Sequence, residues 1–157
     1  ITGGPQERTL RAGTENVCGI AGMGKALQIS MKNLEEFTQK IKGIKVYAID
    51  ELKKAIPGVK FNGRSDEDSN LYTVLSVLLP YKNPLIGLQL DMKGIALSQG
   101  SACSSGAAKP SMVMMSVLSE EEMENTSPLR ISFSHFTEKK DIDALISALV
   151  EIQTSVN

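Results

Sequence analysis

From Val17 onward the apolar residues Ile20, Met23, Leu27, Met31, Leu34, Phe37 and Ile41 recur every three or four positions, the spacing that lays a stripe along one side of an α-helix. No other feature restricts the fold as much, because a stripe of that length has to be buried against a second element. It predicts one long amphipathic helix. Gly22 and Gly24 within it, each costing about 1 kcal/mol relative to alanine, predict a tight and buried packing contact. After Gly43 a second helical stretch runs through Val46, Ile49, Leu52, Lys53 and Ile56 and ends at Pro57-Gly58. At the far end Ile142, Leu145, Ile146, Leu149 and Ile152 form the stripe of a closing helix that begins near Thr137.

Between these helices the period changes. Val59-Lys60-Phe61 reads as a short strand turned by Asn62-Gly63, residues 71–79 as a central strand stopped by Pro80, and residues 129–134 as a strand whose apolar side chains face one way while Arg130 and Ser132 face the other. A short helix through Leu85, Leu88, Leu90 and Met92 ends at Gly94, and Gly94-Ile95-Ala96-Leu97 follows as a buried strand. Residues 112–118 read as helix, and residues 120–124 as an acidic surface run. Strands interleaved with helices indicate an α/β or α+β domain in which helices cover the sheet.

Composition removes several classes of function. The chain has 157 residues, enough for one domain with a sizeable core, and a formal net charge of −1 with scattered basic residues, so nucleic acid is set aside as a partner. No apolar run approaches the ~20 residues that cross a bilayer, and the first residues lack the basic-then-apolar pattern of a signal peptide. A cytoplasmic protein with no membrane partner is expected. Two cysteines, Cys18 and Cys103, and one histidine do not make a tetrahedral metal set, and a reducing compartment keeps both cysteines as thiols. The chain opens without Met on a Gly-Gly-Pro loop, which predicts a fragment of a longer polypeptide.

Two loops carry the chemistry. Residues 98–111 set Cys103 among glycine, alanine and serine, where no large side chain can bury it. This is either a reactive thiol on a tether or a merely exposed cysteine. Residues 1–16 lead into the first helix, which Thr14 or Asn16 caps. Arg8, Arg11, a hydroxyl and the free N–H groups of a helix start make an anion site, or else an ordinary cap with solvated arginines. His135 is read as structural, and Cys18 as an inert packed thiol.

The motifs Gly3-Gly4-Pro5-Gln6-Glu7-Arg8, Arg11-Ala12-Gly13-Thr14-Glu15-Asn16, Gly100-Ser101-Ala102-Cys103-Ser104-Ser105-Gly106 and Leu129-Arg130-Ile131-Ser132-Phe133-Ser134 together resemble the C-terminal part of the pyridoxal-phosphate-dependent cysteine desulfurases of the iron–sulfur-assembly type. The resemblance covers essentially the whole chain. It implies an α/β fold, the small C-terminal domain of the aspartate-aminotransferase-type (fold type I, class V aminotransferase-like) enzymes, with a long helix linking it to a large cofactor domain. Residues 1–43 then form the anion-binding loop and linking helix, residues 44–157 the small domain carrying the 98–111 loop, and the complete enzyme a homodimeric transferase.

The same resemblance implies that L-cysteine is converted to L-alanine, with the sulfur held as a persulfide on Cys103. Arg130 matches the arginine that pairs with the substrate α-carboxylate, its plain alternative being a surface strand arginine. Thr14 matches the threonine that reaches the pyridoxal phosphate (PLP) of the neighbouring subunit. An iron–sulfur scaffold or other sulfur-acceptor protein is the implied partner. These residues contain no Ser-x-His-Lys carrying the cofactor lysine, so this stretch alone is expected neither to bind the cofactor nor to catalyse. A selenocysteine lyase, a non-catalytic dimerisation and docking module that presents a sulfur-carrying loop, and a redox sensor in which Cys18 resolves oxidised Cys103 are the competing readings.

Overall fold

A computed structural model describes residues 2–67, 69–99 and 111–156, the side chain of Val156 excepted. The chain divides into two compact units, one ending at Glu36 and one starting at Phe37.

The first unit is a folded loop followed by α1 (Val17–Lys32). The Asn16 side chain accepts from the Gly19 N–H at 3.0 Å and so caps the helix, which settles the choice between Thr14 and Asn16. The expected single long helix is broken at Asn33. Its backbone N–H makes the ordinary helical bond to the Ile29 carbonyl at 3.2 Å and its side-chain amide donates to the same carbonyl at 3.1 Å, while its own backbone, at φ −105° and ψ 7°, leaves the helical region. The helix then restarts as α2 (Leu34–Ala55) and runs through Gly43, the position expected to end it. Gly43 is tolerated because Ile41, Ile44, Ala48, Ile49 and Leu52 bury one side of α2, and tertiary packing outweighs a local propensity of about 1 kcal/mol.

α1 departs further from expectation. It buries no residue: Val17, Ile20, Met23, Leu27 and Met31 are all exposed, and nothing lies within 4 Å of where a Cβ would stand at Gly22 or Gly24. The predicted close contact at those glycines is not made among the described residues.

The second unit holds a three-stranded antiparallel sheet of β1 (Lys60–Phe61), β2 (Val74–Leu79) and β3 (Ser127–Ser132), with β2 in the middle. Leu75 pairs with Ile131, Ser76 with Arg130 and Val77 with Leu129. The alternation read from the sequence sets the register: Leu129, Ile131 and Phe133 are buried while Arg130 and Ser132 are exposed, since a slip of one residue would turn every apolar side chain outward. The stretch at 94–97 is not a strand. The ladder contact beside it is a single bridge from Ser98 to Arg130.

Among the described residues, α3 (Ile86–Met92), α4 (Met112–Val117) and α5 (Glu120–Asn125) follow β2, and α6 (Lys139–Val156) comes last. The acidic run is thus a helix, closed at its start by a reciprocal capping box between Ser119 and Glu122. Ile86 and Leu90 of α3, the α2 stripe and Ile142, Leu145, Leu149 and Ile152 of α6 share one core with the buried face of the sheet. Among the described residues no helix is long and apolar enough to cross a membrane.

Candidate functional site

Arg130 sits in the middle of β3 on the face that the core does not use. Its backbone N–H donates to the Ser98 carbonyl at 2.9 Å, the Ser98 N–H donates back at 3.3 Å, and Nη2 of the guanidinium donates to Ser98 Oγ at 3.1 Å. Three hydrogen bonds therefore fasten Ser98 to one residue. Among the described residues no carboxylate pairs with Arg130, so its planar donors remain open to a carboxylate from outside.

Around the guanidinium lies a cleft of about 230 Å³ lined by Ser76, Ser98, Ser111, Met114, Leu129 and Arg130, among others. Ser98 and Ser111 are the two ends of the cysteine loop read from the sequence. Both ends meet at the cleft that holds the arginine. Cys103 itself lies outside the described residues.

A buried polar cluster fixes the first of those ends, and sequence reasoning missed it. Gln99 accepts from the Gly87 N–H at 2.9 Å through Oε1 and donates through Nε2 to the Asn83 carbonyl at 3.4 Å. A side chain at position 87 would collide with it, since a Cβ there would stand 2.7 Å from Gln99 Oε1. Asn83, itself buried, donates its N–H to Ser127 Oγ at 2.7 Å and its amide to Gln89 Oε1 at 2.8 Å, and its Oδ1 accepts from Leu85 N–H at 3.0 Å. Ser127 in turn donates to the Tyr81 carbonyl at 2.9 Å. The start of β3, the start of α3 and the root of the cysteine segment are thus tied to one asparagine. The only sequence sign was an Asn-Pro pair after Tyr81-Lys82, a turn signal that says nothing of partners.

Thr14 lies in the other unit, exposed, and its hydroxyl has no hydrogen-bond partner among the described residues. Arg8 is exposed on a left-handed turn in which Glu7, Arg8 and Thr9 have φ of 47°, 55° and 72°. Arg11 is engaged inside the loop, donating to Gly13 O at 2.8 Å and pairing with Glu15 at 2.5 Å. Cys18, expected to be packed, is an exposed thiol, because α1 buries nothing. His135 is stacked on Phe37 with ring centres 4.1 Å apart and touches Phe136 at 3.8 Å. That is the structural role expected of it.

The sequence model of the class-V aminotransferases matches residues 2–145. A cysteine desulfurase IscS of Clostridium botulinum is 37% identical over 153 residues, covering 97% of this chain and 38% of its own length. A mitochondrial cysteine desulfurase of Arabidopsis thaliana is 33% identical over 151 residues, covering 96% and 32%. Among solved structures, a NifS-like protein from Rickettsia africae superposes with a TM-score of 0.76 at 32% identity, over 98% of this chain and 39% of that one. The chain spans between about a third and two fifths of the length of these relatives.

Proposed function

This chain belongs to the class-V aminotransferase family, with the α/β fold of NifS-like, fold type I PLP enzymes, and on that footing we propose that it is the C-terminal part of a cysteine desulfurase. The enzyme takes sulfur from L-cysteine, releases L-alanine and carries the sulfur as a persulfide on Cys103 toward an acceptor protein. The observation that supports this reading is the cleft lined by Arg130, Ser98 and Ser111, where the guanidinium has no acidic partner among the described residues and the two serines flank the sequence segment that carries Cys103.

Each residue has a definite task in this reading. Arg130 takes the substrate α-carboxylate with two parallel N–H donors, while Ser98 steadies one edge of the guanidinium. Cys103 attacks as the thiolate: its sulfur bonds to the sulfur of the substrate cysteine as the substrate C–S bond breaks, and the substrate carbon takes a proton to become alanine. The residues present fit the phosphate end of PLP, because the Thr14 hydroxyl is exposed and unpartnered among the described residues and can donate to a phosphate oxygen. When bound, PLP supplies the electron sink that weakens the substrate C–S bond. Its lysine is placed outside this stretch, in the large domain of a homodimer, so the stretch alone is inactive.

The test uses the full-length protein. Cys103→Ser is expected to keep the yellow absorbance of bound PLP and to lose alanine and persulfide formation by at least about a hundredfold. Unchanged turnover would sink the assignment.

A further inference from the structure

Two side chains hold the backbone of Gly13, one at its N–H and one at its carbonyl. Gln6 Oε1 accepts from the Gly13 N–H at 3.1 Å, and Arg11 Nη1 donates to the Gly13 carbonyl at 2.8 Å. The second terminal nitrogen of the same guanidinium, Nη2, reaches the Glu15 carboxylate at 2.5 Å. Arg11 therefore straddles Thr14, grasping the residue before it and the residue after it.

The rest of the loop is arranged to make that grasp possible. Gly13 has φ of 104°, a conformation that side chains oppose. Gly3 stands so close to Ala12 that a Cβ would lie 2.7 Å from the alanine Cβ, and a Cβ at Gly4 would lie 2.7 Å from Gln6 Oε1. Between these contacts the chain passes through the left-handed turn at Glu7, Arg8 and Thr9, a conformation that costs non-glycine residues about 1–2 kcal/mol each. A loop that tolerates such strain and commits an arginine and a glutamine to the backbone of one glycine fixes the residue next in the chain. That residue is Thr14.

We propose that Arg11 is a positioning residue for the phosphate site: clamped by Glu15, its guanidinium locks the backbone from Gly13 to Glu15 so that the Thr14 hydroxyl meets the phosphate already oriented. The proposal rests on the reading of Thr14 as a phosphate ligand. Arg11 acts through Thr14, because both of its terminal nitrogens are engaged within the loop. A planar fork can hold two partners on either side of a residue, and a lysine, as a point charge, cannot. Orienting the hydroxyl in advance removes part of the ordering cost of binding.

The experiment titrates the cofactor-stripped full-length protein with PLP and, separately, with pyridoxal, which lacks the phosphate. Arg11→Ala, Arg11→Lys and Glu15→Ala are each expected to weaken PLP about tenfold and to leave pyridoxal affinity unchanged, with Arg11→Ala and Glu15→Ala together no worse than either alone. Thr14→Val reports on the underlying reading: if it leaves PLP affinity unchanged, Thr14 is not a phosphate ligand and the role of Arg11 falls with it. If Thr14→Val weakens PLP while the Arg11 and Glu15 variants do not, Thr14 stands and the positioning role is overturned. Tighter PLP binding by Glu15→Ala would mean that Arg11 is itself the anion's partner, and equal losses for PLP and pyridoxal would mean general collapse of the loop. Either result also overturns the proposal. Should Arg11→Ala fail to fold, Arg11→Lys and Glu15→Ala still decide it.

Discussion

At the scale of single residues, Arg130 shows how burial and alternation give one side chain its task. Its neighbours Leu129 and Ile131 enter the core and force it to the opposite face, where Ser98 steadies it and no acid among the described residues neutralises it. If Arg130 holds the substrate carboxylate as proposed, Arg130→Lys in the full-length protein is expected to raise KM for cysteine roughly tenfold to a hundredfold while kcat moves less, the loss of a bidentate charged contact made in the ground state. Steady-state kinetics decides it. The outward direction of Arg130 was legible from the order of residues 129–134, whereas its bond to Ser98 was not, since the two are 32 positions apart. A second residue has a measurable signature without belonging to the site. Tyr47 donates to Asp143 at 2.6 Å, and that bond, with desolvation and the nearby carboxylate charges, pushes its phenol up to about 12. Asp143→Asn is expected to return it toward 10 in a ring-resonance titration. Because the folded value is raised, the stability this bond contributes is whole below pH 10 and is lost as pH rises through 12.

At the scale of elements, short-range pattern and long-range partners part company. Periodicity found α6, β2 and β3, and the apolar stripe of α2 although it divided that helix at Gly43, because a buried stripe or an alternating face is written in neighbouring residues. It missed the break at Asn33, where the backbone leaves the helical region and the side-chain amide turns back onto the Ile29 carbonyl, and it turned residues 94–97 into a strand because an apolar run says nothing about who pairs with it. The cluster around Asn83 was invisible for the same reason: Ser127 is 44 residues away. Yet that cluster joins three elements at the root of the cysteine segment. Ser127→Ala, which strands the Asn83 N–H and the Tyr81 carbonyl in the interior, is expected to destabilise the fold by about 1–3 kcal/mol. Chemical denaturation would register this as a lower midpoint with an unchanged slope.

On the scale of the whole molecule, the buried core lies in the second unit, and α1 of the first buries no described residue. Leu52, Ile56, Leu75, Leu79, Ile86 and Leu90 are fully buried, and Leu52→Ala is expected to cost about 2–5 kcal/mol, measured as loss of unfolding free energy. α1 carries an equally regular apolar stripe, which is exposed among the described residues. The sequence predicted a helix from Val17 but not its end at Lys32, and the burial it predicted is not made among the described residues, because periodicity specifies an apolar face without specifying where the covering surface comes from.

The meeting of Ser98 and Ser111 at one cleft also sets a delivery radius. A chain gains at most about 3.6 Å per residue, so Cys103, five residues beyond Ser98, can stand no farther than about 18 Å from it. On the proposed desulfurase reading, an acceptor has to bring its own receiving group within about that distance of Ser98.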